Sequence, residues 1–239
     1  MTVTEIFESY MEQIHYVDEP KKTYQTSMSY LAKHYDHFLF DGFGTLYFED
    51  EVFEDSVSCI QQLKKSGKQV RLVTNAASKT RLDLSESLLG KGLGFHPNEI
   101  ISSGSLLTTL NQKLGLSKAY HLGRDTALPL LAQSKISHSE MTRVVIMSGV
   151  PQEGFKEEHL NTAQRILQLP NATLILMNPD VIAPISSERY IEVAGFYANM
   201  LEEKTHCHVI RLGKPFPLIF EKTTYSFFPQ GGSTVFIGD

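Results

Sequence analysis

The chain has 239 residues, of which 41% are hydrophobic and 21% are charged, and its formal net charge at pH 7 is −5. This composition is ordinary for a globular protein, and the acidic balance excludes a general nucleic-acid-binding protein because no basic excess can neutralise phosphates. The two cysteines are too few for a disulfide framework. No apolar run approaches the roughly 18 residues of a membrane span, so we expect a cytoplasmic protein with no membrane partner.

Residues 1–34 are predicted to form a helical N-terminal extension. Apolar side chains recur there at helical spacing, and Glu19-Pro20 ends the pattern. Acidic residues are interspersed among these apolar positions, which is not the pattern of a signal peptide. The extension fits either a helix packed on its own core or a helix that binds a partner.

From Tyr35 onward the sequence alternates between predicted strands and helices. The first series has strands over 38–41, 70–74 and 99–102 and helices over 52–66, 79–89 and 105–114. The second has strands over 119–122, 143–147, 173–177 and 209–212 and helices over 126–132, 156–167 and 188–203, followed by a helix over 217–227 and a strand over 235–237. This order predicts an α/β fold, with parallel strands covered by helices and ligands outside the carboxyl strand ends.

The stretch FLFDGFGTLY presents a carboxylate at the end of a hydrophobic strand. Asp41 ends the strand, and Gly42 and Gly44 let the backbone turn tightly and approach a ligand closely. An aspartate that only caps the turn explains the same residues equally well.

Three further stretches place polar residues at predicted strand ends. VTNAASKTR offers Thr74 and Asn75 to an anionic oxygen, although an ordinary helix cap is the alternative. GKPFPLIF holds Lys214 in a proline-fixed loop, where it can neutralise a phosphoryl group or remain an exposed lysine. VFIGD ends in Asp239, which on a strand beside Asp41 would complete a pair of oxygen ligands suited to Mg²⁺.

Together these stretches resemble the haloacid dehalogenase superfamily of phosphotransferases and phosphatases, and within it the NagD-like and p-nitrophenyl-phosphatase-like subgroup. The resemblance is carried by FLFDGFGTLY, LVTNAASKTR, GFHPNEIISSGSLL, ILMNPD and GKPFPLIFEK. It implies a Rossmann-like core over 35–115 and 208–239, with an inserted α/β cap over 116–207. The family usually continues beyond the GD of its last motif, so we expect the C-terminal part of the core to be truncated here.

The resemblance assigns the chemistry to the first and last of these motifs. It implies that Asp41 is a nucleophile that forms an aspartyl-phosphate. It also implies that Asp41, Asp239 and the main-chain carbonyl of Phe43 hold Mg²⁺.

The same resemblance implies the phosphate-binding residues. Thr74, Asn75 and the turn of Gly42 and Gly44 would bind the transferring phosphoryl group, and Lys214 would neutralise its charge during catalysis. The implied substrate is a small phosphorylated metabolite, the implied cofactor is Mg²⁺, and a homodimer is left open because caps of this subgroup often dimerise.

Phe43 departs from the family pattern. The phosphatases of the superfamily have a second aspartate there, which protonates the leaving oxygen, and general acid–base help of this kind contributes roughly 10²–10⁴-fold. The sequence therefore predicts a slow hydrolase. The alternatives are a phosphate-binding protein without turnover and a protein that interacts through its N-terminal helix. A dehalogenase also tolerates an aromatic residue there, but its cap lies between the positions of Leu46 and Leu72, where this chain is short.

Overall fold

The computed structural model of the chain describes residues 25–186, 189–227 and 231–238, and for 225–227 it describes the main chain only. Most of the predicted N-terminal helical extension and Asp239 lie outside these ranges. Within the described ranges, no helix combines the length and the apolar character that crossing a bilayer requires.

The described elements alternate between strands and helices. The strands are β1 (His37–Phe40), β2 (Tyr47–Phe48), β3 (Glu51–Val52), β4 (Gln69–Thr74), β5 (Ile100–Ser102), β6 (Lys118–Leu122), β7 (Ser137–His138), β8 (Val144–Met147), β9 (Thr173–Leu176), β10 (Ile182–Pro184), β11 (Tyr190–Glu192), β12 (His208–Arg211) and β13 (Thr234–Ile237). The helices are α1 (Met28–His34), α2 (Ser56–Lys65), α3 (Arg81–Gly90), α4 (Leu106–Leu114), α5 (Leu128–Gln133), α6 (Glu157–Leu167), α7 (Ala194–Thr205) and α8 (Pro217–Phe227). By internal contacts the chain divides into two compact units, one with the segments up to Val73, Ser85–Ile101 and from Lys222 onward, the other with Thr74–Leu84 and Ser102–Glu221.

The first unit is organised by a four-stranded sheet in the order β13-β1-β4-β5. Strand β1 pairs in parallel with both neighbours, so that Leu39 lies opposite Phe236 on one side and Arg71 on the other. All four residues of β1 are buried, as expected for an inner strand of a parallel sheet.

The helix after the first strand packs through one stripe of side chains. In α2 the buried residues are Ser56, Ile60 and Leu63, which recur at the spacing of one helical face. Gly67, in the left-handed conformation with φ of 79°, lets the chain turn from α2 into β4.

The second unit is organised by a five-stranded sheet in the order β12-β9-β8-β6-β7. The pairings β12–β9, β8–β9, β6–β8 and β6–β7 are all parallel. Helices α6 and α7 cover this sheet with a cluster of buried side chains that includes Leu122, Met147, Ile166, Leu174 and Leu201.

The structure confirms the predicted α/β fold with parallel sheets and corrects some element bounds. The helix predicted over 188–203 begins only at Ala194, because Tyr190–Glu192 pairs with Ile182–Pro184 in an antiparallel hairpin. The helix predicted to start at 52 begins at Ser56, because Glu51–Val52 pairs with Tyr47–Phe48. The predicted bounds of an inserted cap stay a prediction.

Candidate active site

Asp41 follows β1 directly and is held by its own loop. Its main-chain N–H donates to the carbonyl of Ile237 at 2.8 Å, which extends the parallel pairing of β1 with β13 by one residue. The N–H of Gly42 donates to Oδ1 of Asp41 at 2.6 Å. The carboxylate is therefore oriented at the carboxyl end of a buried strand, as the sequence predicted.

The two glycines of this loop have separate roles. The Gly42 carbonyl accepts hydrogen bonds from the N–H groups of Thr45 and Leu46, at 3.2 and 2.8 Å, which closes a tight turn. A Cβ on Gly42 would lie 3.0 Å from the hydroxyl oxygen of Tyr47, so a side chain is not accommodated without movement. Gly44 has φ of 85°, which other residues rarely adopt.

Phe43 adds an apolar ring to the same loop, and this ring packs against two other aromatic rings. Its ring centroid lies 5.0 Å from that of Phe48 and 6.4 Å, edge-on, from that of Tyr47. Burial, and secondarily the charge of Asp41, raises the pKa of Tyr47 above its ordinary value. The loop thus presents one carboxylate beside aromatic groups that are neutral at physiological pH.

Gly238, which directly follows β13, lies beside the loop of Asp41. A Cβ on Gly238 would lie 3.2 Å from the Cβ of Asp41. Asp239, predicted as the second carboxylate, is outside the described residues. Among the residues that the structure describes, no group of three or more His, Cys, Asp or Glu side chains is arranged to hold a metal ion.

In the second unit, hydrogen bonds to nearby and to distant residues fix Thr74 and the segment after it. Thr74 is only 5% exposed, and its hydroxyl accepts from the N–H of Ala76 at 3.3 Å. Thr80 caps α3 by exchanging hydrogen bonds with Asp83, since Thr80 Oγ1 donates to Asp83 Oδ2 at 2.7 Å and accepts from the Asp83 N–H at 3.2 Å. Ser78 accepts from the Gly149 N–H at 3.1 Å, which attaches this segment to the end of β8.

The carboxamide of Asn75 connects two distant loops of the second unit. Its Nδ2 donates to Oδ1 of Asp180 at 2.8 Å and to the carbonyl of Lys214 at 3.0 Å. Its Oδ1 accepts from the N–H of Lys214 at 2.7 Å. Asn75 and Lys214, both predicted as phosphate-site residues, are therefore in direct contact through the Lys214 main chain.

The surroundings of this contact are tightly packed. Gly213 has φ of 97°, and a Cβ there would lie 2.6 Å from Asn75 Oδ1 and 3.0 Å from the Cβ of Ser103. Ser103 is fully buried, and its Oγ has no hydrogen-bond partner among the described residues. The Asp180 carbonyl accepts from the N–H of Gly195 at 2.8 Å, which fixes the turn that carries the Asp180 carboxylate.

Sequence reasoning placed the strand-end residues but missed two of their neighbours. Neither Asp180, the last residue of the stretch ILMNPD, nor Ser103 was assigned a role from the sequence. Asp180 lies four residues after the end of β9, and Ser103 directly follows β5. The structure brings Asp41, Gly42, Phe43 and Gly44 together in one unit and Asn75 and Lys214 together in the other.

Comparisons with known proteins agree with these motifs. The sequence profile of the family described as haloacid dehalogenase-like hydrolase matches residues 38–137. Human glycerol-3-phosphate phosphatase is 26% identical over 234 residues, covering 85% of this chain and 72% of that protein.

Solved structures share the fold. The 4-nitrophenylphosphatase of Thermotoga maritima superposes with a TM-score of 0.72 at 23% identity, covering 82% of this chain and 75% of that one. NagD of E. coli K-12 superposes with a TM-score of 0.74 at 18% identity, covering 86% of this chain and 80% of its own. The chain is therefore similar to the haloacid dehalogenase-like hydrolases over residues 38–137, and it shares its fold with these two solved structures.

Proposed function

We propose that the chain is a Mg²⁺-dependent phosphatase that hydrolyses a small phosphorylated metabolite through an aspartyl-phosphate, and that it is slow because Phe43 replaces the usual proton donor. The observation that carries the proposal is the Asp41 carboxylate, oriented at the end of a buried parallel strand by the N–H of its own loop. Relatives named as phosphatases of small metabolites support the reaction class.

The donor set at this strand end fits Mg²⁺ in its chemistry. Asp41 offers a carboxylate, and the main-chain carbonyl of Phe43 offers a second hard oxygen, whatever its side chain. Gly238 lies beside Asp41, so Asp239 is the residue that we assign as the second carboxylate ligand. When bound, Mg²⁺ supplies positive charge that stabilises the phosphoryl oxygens.

The remaining parts of the reaction, which are nucleophilic attack, phosphoryl binding and charge neutralisation, are assigned to residues of the chain. An Asp41 oxygen attacks phosphorus and the bond from phosphorus to the leaving oxygen breaks, and water later cleaves the aspartyl-phosphate to release inorganic phosphate and regenerate the carboxylate. Thr74 and the turn of Gly42 and Gly44 supply groups that bind the phosphoryl oxygens. Lys214 neutralises its negative charge.

A second candidate is a phosphate-binding protein without turnover, and Phe43 is the observation that favours it. The leaving oxygen needs a proton unless it is a stable anion by itself, and the Phe43 ring packs against Phe48 and cannot supply one. The first candidate therefore requires substrates whose leaving groups are good, or a low rate.

Turnover of 4-nitrophenyl phosphate with and without Mg²⁺ tests the proposal, with Asp41→Asn as the paired variant. We expect Mg²⁺-dependent release of phosphate by the wild type and none by Asp41→Asn, which keeps the size of the side chain but is a poor nucleophile. Binding of inorganic phosphate without any turnover would select the second candidate. Activity that survives in Asp41→Asn would refute the proposed nucleophile.

A further inference from the structure

We infer that Asn75 is a positioning residue: its carboxamide fixes the main chain of Lys214 relative to the Asp180 carboxylate and does not itself bind the phosphoryl group. The inference deepens the proposed function and rests on it for the role of Lys214. It also revises the part that the Asn75 side chain was predicted to play.

The first argument is the inventory of donors. A carboxamide has two N–H donors, and both are committed, one to Asp180 Oδ1 at 2.8 Å and one to the Lys214 carbonyl at 3.0 Å. A phosphoryl oxygen is an acceptor and needs a donor. The remaining lone pair on Asn75 Oδ1 would repel it, so the side chain has nothing to offer a phosphoryl group directly.

The second argument is the two-point contact with Lys214. The carboxamide donates to the Lys214 carbonyl and accepts from the Lys214 N–H at 2.7 Å, so it pairs with both main-chain groups of one residue. Such a pair defines the position of the Lys214 main chain, from which its ammonium group extends. No other residue type of this size offers a donor and an acceptor in this arrangement.

The third argument is that the residues around the Asn75 carboxamide are packed so closely that its contacts with Lys214 and Asp180 are fixed. Gly213 is held at φ of 97° with its missing Cβ only 2.6 Å from Asn75 Oδ1. On the other side, Asp180 is oriented by the turn in which its own N–H donates to Asn178 Oδ1 at 3.0 Å. The Asp180 carboxylate makes its contact with Asn75 charge-assisted, which strengthens it relative to a neutral hydrogen bond.

The chain provides a matched control in Asn111. The Asn111 carboxamide also donates twice, to the carbonyls of Leu116 and Ser134 at 2.9 and 2.7 Å, and accepts once, from the Leu116 N–H at 2.8 Å. It lies in the same unit but holds a different loop. Asn75→Ala and Asn111→Ala therefore remove equivalent sets of hydrogen bonds at two sites.

The first measurement is amide hydrogen exchange by NMR, which needs no activity. We expect Asn75→Ala to speed exchange of the Lys214 amide about tenfold or more and to leave the Leu116 amide unchanged, because each amide loses protection only with its own acceptor. Asn111→Ala should do the reverse. If Asn75→Ala does not fold, Asn75→Leu, which is similar in size and has no polar side-chain atom, takes its place. An unchanged Lys214 amide overturns the inference.

The second measurement is the binding of inorganic phosphate in the presence of Mg²⁺. In the otherwise wild-type chain, we expect Asn75→Ala to weaken phosphate binding about tenfold. In a chain that already carries Lys214→Met, the same substitution should weaken binding by less than about twofold, because Asn75 acts through Lys214. Asn111→Ala should leave binding unchanged. Equal losses in both backgrounds would show direct phosphate contact by Asn75 and overturn the inference. A wild type that binds no phosphate would instead refute the proposed function, and the exchange data would still decide the role of Asn75.

Discussion

Replacing Phe43 by aspartate is the most direct test of why this chain should be slow. The variant supplies the carboxyl group that can protonate a leaving oxygen, and general acid–base help of this kind contributes roughly 10²–10⁴-fold, or about 3–5 kcal/mol of transition-state stabilisation. The gain should depend on the leaving group. An alkoxide needs the proton far more than 4-nitrophenolate does, so we expect a large gain with an alkyl phosphate and a small one with 4-nitrophenyl phosphate.

The substitution also has a structural cost that can be read from the ring contacts. Phe43 loses its contacts with the rings of Phe48 and Tyr47, and aromatic pairs contribute about 0.5–1.5 kcal/mol each, so unfolding should become easier by about 1–3 kcal/mol. Domains of this kind are typically stable by about 5–15 kcal/mol, so the variant should remain folded.

Phe43→Asn is the matched control, since it loses the same ring contacts and has no acidic proton. The assay is kcat/KM for an alkyl and an aryl phosphate, measured on the wild type and both variants, with urea unfolding alongside. If Phe43→Asp is no faster than Phe43→Asn on the alkyl phosphate, the missing proton donor is not what limits this chain.

Two further predictions concern stability. Gly213→Ala should lower the free energy of unfolding by about 3 kcal/mol, because of backbone strain and a clash with Asn75 Oδ1. Gly67 has a similar positive φ, but a Cβ there would have no atom within 4 Å, so Gly67→Ala should lower it by only about 1 kcal/mol. Urea unfolding measures both changes. Burial, and secondarily the charge of His138, lowers the pKa of His121 to about 4 from its usual 6.5. Between pH 6.5 and pH 4, His121 is protonated in the unfolded chain but stays neutral in the folded chain. The free energy of unfolding therefore has its full value above pH 6.5 and falls as the pH drops, by about 2 kcal/mol at pH 5. His121→Gln should flatten this part of the pH dependence, and an unchanged slope would contradict the assignment.

The strand ends of the site could be predicted because their signal is local. At Asp41 and Thr74 a run of buried apolar residues gives way to a polar one, and such a change is visible within a few positions. The parallel sheets followed from the alternation of strand-like and helix-like segments.

The parts that escaped prediction depend on partners elsewhere in the chain. Strands as short as Tyr47–Phe48 or Tyr190–Glu192 carry too few residues for a periodic pattern, and their hairpins exist only as pairs. The contacts of Asn75 lie 105 and 139 positions away, at Asp180 and Lys214. Nothing in the residues around Asn75 distinguishes a carboxamide that binds a ligand from one that holds a loop.

The distance between Asn75 and Lys214 along the chain also has a consequence during protein synthesis. The strand and loop of Asp41 are synthesised early, whereas the lysine that Asn75 contacts is added to the chain only 139 residues after Asn75. A nascent chain therefore contains the complete Asp41 loop long before Asn75 can pair with the Lys214 main chain. Any translation product that stops before residue 214 would retain Asp41 and lack the lysine that the proposed chemistry requires.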